Sequence, residues 1–130
     1  MAVANGNRIP SRIPNKGPMG EFIGPFDVSS KLTDEAYHVR FSHLWNGIAT
    51  RHSDTIDSKF FVDGQAVLVG LAHTGLRSLE SRMGRGVSDR EASFIAAEYL
   101  RERLEQADER RQFDVTSEDV VRLAEKLGLS

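Results

Sequence analysis

Cysteine is absent from this chain, which excludes a disulfide framework, a thiolate nucleophile and a cysteine-bound zinc. Long apolar runs are absent too. The longest mainly apolar stretch, Ala66 to Ala72, is far shorter than the ~20 residues of a membrane-spanning helix. The first residues lack the apolar segment of a secretory signal, so a cytoplasmic location is expected. The patterns G-x-S-x-G, H-E-x-x-H and G-x-G-x-x-G do not occur, and with them go the nucleophile elbow, the zincin helix and the dinucleotide-binding turn. The glutamates between residues 91 and 109 have no histidine three residues on, as a di-metal carboxylate bundle requires. No cofactor and no metal is expected.

Acid is missing from residues 1–20, which hold Arg8, Arg12 and Lys16. The whole chain has 17 cations and 19 carboxylates. A +3 segment therefore precedes a remainder of −5, an asymmetry that points to a basic arm on an acidic body. That balance argues against a body that binds nucleic acid over its whole surface. The arm reads as three phrases, Asn7-Arg8-Ile9-Pro10, Ser11-Arg12-Ile13-Pro14 and Asn15-Lys16-Gly17-Pro18. Its prolines, with Pro25, forbid a helix and favour extended backbone. Polyproline II at about 3.1 Å per residue gives twenty residues a reach of roughly 60 Å. A domain of about 100 residues has a radius of gyration of only about 13 Å, so such an arm reaches across its own domain or a neighbour's. Phe22, Ile23 and Phe26 read as anchors at its base.

The remainder, residues 31–130, reads as one small α+β domain behind an extended arm of residues 1–30. The expected order is one helix, a β-hairpin, then three helices packed on it. Tyr37, Phe41, Leu44, Trp45 and Ile48 follow helical spacing, with Thr33 as cap. Tyr37, Val39 and Phe41 also alternate as in a strand, so the helix over residues 34–50 has a competitor. Asp63-Gly64 supplies the two positive φ angles of a type I′ hairpin between residues 59–62 and 65–71. Thr74 is placed to cap the next helix, with Leu76, Leu79 and Met83 inward and Gly84 ending it. Ser88 and Glu91 form a capping box for another, with Ala92, Ala96, Tyr99, Leu100, Leu104 and Ala107 inward. Thr116 caps the last, Val115 and Val120 can staple it, and Gly128 ends it.

Four features invite a functional reading. The arm comes first; its prolines are four apart where an SH3 ligand needs P-x-x-P. Glu91, Glu98, Glu102, Glu105 and Glu109 form an acidic column on one helix, which is either a plain solvated face or a receiver for a basic segment. Arg77, Arg82, Arg85 and Arg90 surround a glycine turn between helices, where helix-turn-helix proteins meet phosphate. His73 and Thr74 open a helix whose backbone donors suit an anion. His38 and His43, five apart, would face different ways on a helix and share no metal.

The leading expectation is a non-catalytic protein-interaction or assembly module, a homo-oligomer that docks by its arm. Arg8, Arg12 and Lys16 of one copy would lie along Glu98, Glu102 and Glu105 of another, with Phe22 and Phe26 contributing apolar contact. The alternatives are an accessory nucleic-acid-binding protein using the arm and the arginine cluster, and a small enzyme or anion-binding domain at His73 and Thr74. The identity of the partner and the stoichiometry are not written in the sequence.

Overall fold

The structure, a computed structural model, describes residues 23–46 and 55–129, with Trp45 and Asn46 described by their backbone alone. Arg8, Arg12, Lys16 and Phe22 lie outside the described residues, as does Ile48. The elements in chain order are β1 (Phe26–Ser29), β2 (Ala36–Asn46), β3 (Thr55–Val62), β4 (Gln65–Ala72), α1 (His73–Met83), α2 (Asp89–Glu105), β5 (Gln112–Val115) and α3 (Ser117–Lys126). The five strands form one sheet in the order β1-β2-β3-β4-β5. The first four pair antiparallel, and β5 joins β4 in parallel after the crossover through α1 and α2. The class is α+β, as expected. Among the described residues the arrangement is three helices and five strands, not four helices and a hairpin.

The correction falls on residues 34–50. β2 replaces the expected helix because its alternation is real but interrupted. Tyr37 and Val39 are buried, and the pairing with β3 slips at a bulge between Phe41 and His43. The extra residue returns Leu44 to the face of Phe41, so these two core-facing residues stand three apart. That spacing imitates a helix. Thr33 caps no helix either. It sits in the β1–β2 turn, where its hydroxyl accepts from Glu35 N at 3.2 Å, and Ser30 Oγ accepts from Leu32 N and Thr33 N. Asp34 takes a positive φ of 63° there, which short polar side chains tolerate.

Several other local expectations hold, although Ala107 lies beyond α2 with a positive φ of 57°. Asp63 and Gly64 both have positive φ, 50° and 83°, and join β3 to β4. Ser88 and Glu91 make the reciprocal capping box of α2, and Thr116 Oγ1 caps α3 by accepting from Asp119 N. Gly84 and Gly128 end α1 and α3 in the left-handed region. α1 differs: it starts at His73 straight out of β4, its N-cap is Ala72, and no side chain caps it. Thr74 is already inside the first turn.

Core-facing residues follow from the register. Val39 pairs with Val62, Phe41 with Phe60, and Phe60 with Val67, so one face carries the apolar rows. Phe60 meets Phe41 edge to face at 5.4 Å. Leu76, Leu79, Ile95, Leu100, Val120 and Leu123 from the helices join the same core. Tyr99 packs edge-on against Phe113 at 5.9 Å, tying α2 to β5. Gly75 lets α1 approach α3: a Cβ there would lie 2.8 Å from Ser117 Cα and from Val120 Cβ.

Candidate interaction site

The acidic column of α2 is met by the chain's own cations. Glu98 is 1% exposed and Arg101 is 8% exposed, in the middle of the helix. Arg101 donates to Glu98 and Glu105. Lys126 of α3 donates to Glu98 at 2.7 Å and to Glu102 at 2.9 Å. Arg122 grips Glu102 with two nitrogens at 3.0 and 2.9 Å and reaches Asp119 at 3.1 Å. Lys31, in the β1–β2 turn, lies 3.6 Å from Glu105, and its backbone N donates to the Glu105 carbonyl. Four carboxylates thus face four cations, and the lattice binds α2 to α3 and to the β1–β2 turn. Burial alone would raise the Glu102 pKa, but hydrogen bonds from Arg122 and Lys126 overcome it and hold the carboxyl down at about 2. Glu91 stands apart at the other end of α2. Arg85 donates to both its oxygens, at 2.9 and 2.7 Å, and this with the capping of Ser88 lowers its pKa to about 2.

Glu109 is separated from the column. It follows α2 and accepts from the Tyr37 hydroxyl at 2.7 Å, with Glu35 3.3 Å from the same hydroxyl. The Glu109 hydrogen bond first, then burial, push the Tyr37 pKa well above the usual phenol range. Tyr37 therefore stays a donor and latches β2 to the segment before β5. Beside this latch is a cavity of about 280 Å³ with an apolar floor of Val62, Val67, Leu100 and Leu104.

The arginine cluster is dispersed. Arg82 pairs with Glu125 and Arg85 with Glu91, while the Arg90 guanidinium lies 4.8 Å from the Phe94 ring centre. Arg77 is exposed and shares a cavity of about 290 Å³ with His73 and Glu80. Thr74 hydrogen-bonds Ser117 across the α1–α3 contact. Its hydroxyl serves helix packing.

The sheet has a second face, opposite the helices. His38 pairs across to Asp27, Arg40 to Phe61, and His43 to Lys59. Phe61 and Lys59 in turn oppose Ala66 and Leu68, and Leu68 opposes Gln112. The bulge in β2 brings His38, Arg40 and His43 into one row, whereas a helix would have parted the two histidines. The Arg40 guanidinium carbon lies 4.6 Å from the Phe61 ring centre, and Lys59 Nζ lies 5.2 Å from it. Neither cation forms an ion pair among the described residues. Towards the β3–β4 turn this face is exposed or half-exposed; towards Thr55 it closes over Asp57 and Gly70, which are buried.

Of the expected partner-binding residues, Phe26 is half-buried at the start of the edge strand β1, and Ile23 before it is 5% exposed. Glu98 is sealed, while Glu102 and Glu105 keep 17% and 18% of their side-chain exposure. Among the described residues, no group of three or more His, Asp or Glu is placed to hold a metal ion, and no helix is long and apolar enough to cross a membrane. Sequence reasoning missed the Arg40–Phe61–Lys59 group. Lys59-Phe60-Phe61 signals it only once the strand is accepted, because alternation then sends Phe60 inward and Phe61 outward. No protein-family model, curated protein or solved structure matches the chain.

Proposed function

We propose that this chain is a non-catalytic assembly module of the cytoplasm that associates with copies of itself through its basic N-terminal arm. The observation that supports the reading most is the rooting of the arm. Ile23 is in the core and Phe26 opens β1, which pairs with β2. A chain leaving a fixed sheet edge presents Arg8, Arg12 and Lys16 within a bounded reach. Among the described residues β1 has a strand neighbour on one side only, and edge strands invite pairing between copies.

The receiving surface is the outer margin of the α2 face. Glu105 is held loosely by Lys31, whose side chain is 69% exposed. An arm cation can exchange with that ammonium. Glu102 keeps 17% of its side-chain exposure, and an arm cation would have to compete there with Arg122 and Lys126. Glu98 takes part only through Lys126, since its own carboxylate is sealed. Exposed pairs contribute about 0.2–1 kcal/mol each, so apolar contacts by Phe22 must supply much of the association.

The test is sedimentation of the full chain against the triple reversal Arg8→Glu, Arg12→Glu, Lys16→Glu at low and moderate salt. The expected result is an oligomer that dissociates on reversal and on adding salt. An unchanged mass in both cases rejects arm-mediated assembly.

A further inference from the structure

The open half of the sheet's outer face carries a chemistry that the arm reading does not use. Phe61 stands at its middle on β3. Arg40 faces it from β2, and Lys59 stands two residues along on the same face. Both cations lie within about 5 Å of the ring centre, and neither forms an ion pair among the described residues. On the helical side, by contrast, Glu98, Glu102 and Glu105 are all engaged by cations of the chain itself. Around the ring this face carries small or neutral neighbours at Ala66, Leu68 and Gln112.

We propose that this face binds single-stranded nucleic acid, with a base stacked at Phe61 and phosphates at Arg40 and Lys59. An acidic polypeptide would be drawn by the cations but has no use for the ring between them. A nucleobase has: every base offers a flat π surface, and stacking on aromatic side chains is the sequence-tolerant way single strands are held. Arg40 adds a guanidinium that itself stacks on bases. A duplex is disfavoured because its bases are stacked inside, and readout of its grooves needs a helix or ribbon that enters them. The body's net charge of about −5 confines the contact to this patch. It predicts about two phosphate contacts and a shallow salt dependence.

The experiment is fluorescence anisotropy of a labelled oligomer of about twelve thymidines, titrated with the full chain so that the arm is the same in every variant. Binding is expected to weaken about tenfold with Phe61→Ala, and with Phe61→Leu if the alanine variant loses its fold by circular dichroism. The slope of log K against log salt is expected to fall by about 0.7 for Arg40→Gln and again for Lys59→Gln. Displacement by polyglutamate as effective as by unlabelled oligomer, with Phe61 indifferent, overturns the proposal in favour of an acidic protein surface. Absence of binding by the parent chain overturns it outright. So does binding that survives the Arg40 and Lys59 changes and disappears with the arm reversal, and that outcome leaves the assembly role of the arm standing.

Discussion

The two sides of this sheet treat charge in opposite ways. On the helical side, Arg101, Arg122, Lys126 and Lys31 face Glu98, Glu102, Glu105 and Asp119, and Arg101 and Glu98 are buried between helices. On the outer side, Arg40 and Lys59 stand over a half-exposed phenylalanine with no ion pair among the described residues. Both sets look alike in the sequence, as lysines and arginines scattered among other residues. The difference lies in solvation. A charge removed from water needs a partner at once, and the lattice between α2 and α3 supplies one for each. A charge left in water needs none, and it remains available to something that arrives from outside. Charge on the first side belongs to folding, whereas Arg40 and Lys59 on the second have no ion pair among the described residues.

The largest expected effect breaks the folded side. Glu98→Ala leaves Arg101 buried with only Glu105 in reach and Lys126 with only Glu102. Removing one member of a buried pair costs about 3–5 kcal/mol, to be read from urea denaturation. The paired change Glu98→Leu with Arg101→Met should recover most of that loss, because two charges then leave together. A small loss in the single variant would mean that water reaches the lattice, and the contrast between the two sides would shrink.

Gly75→Ala comes next. The added methyl meets Ser117 and Val120 at 2.8 Å, and overpacking of this kind typically costs about 1–3 kcal/mol. The higher helix propensity of alanine returns up to about 1 kcal/mol, so the net expectation is a modest loss of stability. The Tyr37 latch and the α2–α3 lattice do not touch this contact. The same denaturation measurement should therefore show Gly75→Ala adding to Glu98→Ala with little coupling.

How much of this was legible in the sequence depends on whether the signal is local. The Asp63-Gly64 turn, the Ser88–Glu91 box, the Thr116 cap and the glycine stops rest on a few neighbouring residues, and all are found where expected. β2 was misread because a bulge is a tertiary feature: only the pairing with β3 shows that Ser42 is extra, and without it Tyr37, Phe41 and Leu44 keep helical time. β5 offers four residues, Gln112–Val115, too few for alternation to speak alone. It is a strand because β4 is beside it. Of the expected acidic column, Glu98, Glu102 and Glu105 are met by cations of the chain while Glu91 and Glu109 stand apart, and the sequence could not show this because Arg122, Lys126 and Lys31 come from elements distant in sequence. The Arg40–Phe61–Lys59 group is likewise cross-strand.

A smaller effect sharpens the comparison through pH. Glu102 and Glu91 are held at about 2, below the usual carboxylate value of 4.5. As pH falls, the unfolded chain takes up these protons first. Their contribution is therefore complete above about pH 4.5 and drains away between there and about pH 2. Urea midpoints should hold steady from neutrality to about pH 5 and fall below it. Glu102→Gln lowers stability at neutral pH and flattens the acid limb, because the residue no longer titrates. A limb that stays equally steep would place the acid sensitivity elsewhere.

The smallest expected effect tests the other side. Arg40→Gln and Lys59→Gln remove cations that are not ion-paired within the described fold and that rest on a ring at the surface. Exposed cation–π contacts contribute about 0.5–1 kcal/mol, and ordinary surface substitutions stay within about 0.5 kcal/mol. Each variant should thus melt within a few degrees of the parent, and its acid limb should be unchanged because neither residue touches Glu91 or Glu102. The informative quantity is the ratio. Glu98→Ala should cost several times more than Arg40→Gln, although each removes one charge from a helix or strand of the same sheet-and-helix sandwich. If the two costs are similar, Arg40 is structural, and a face whose cations are already spent on holding the strands together has nothing left with which to bind.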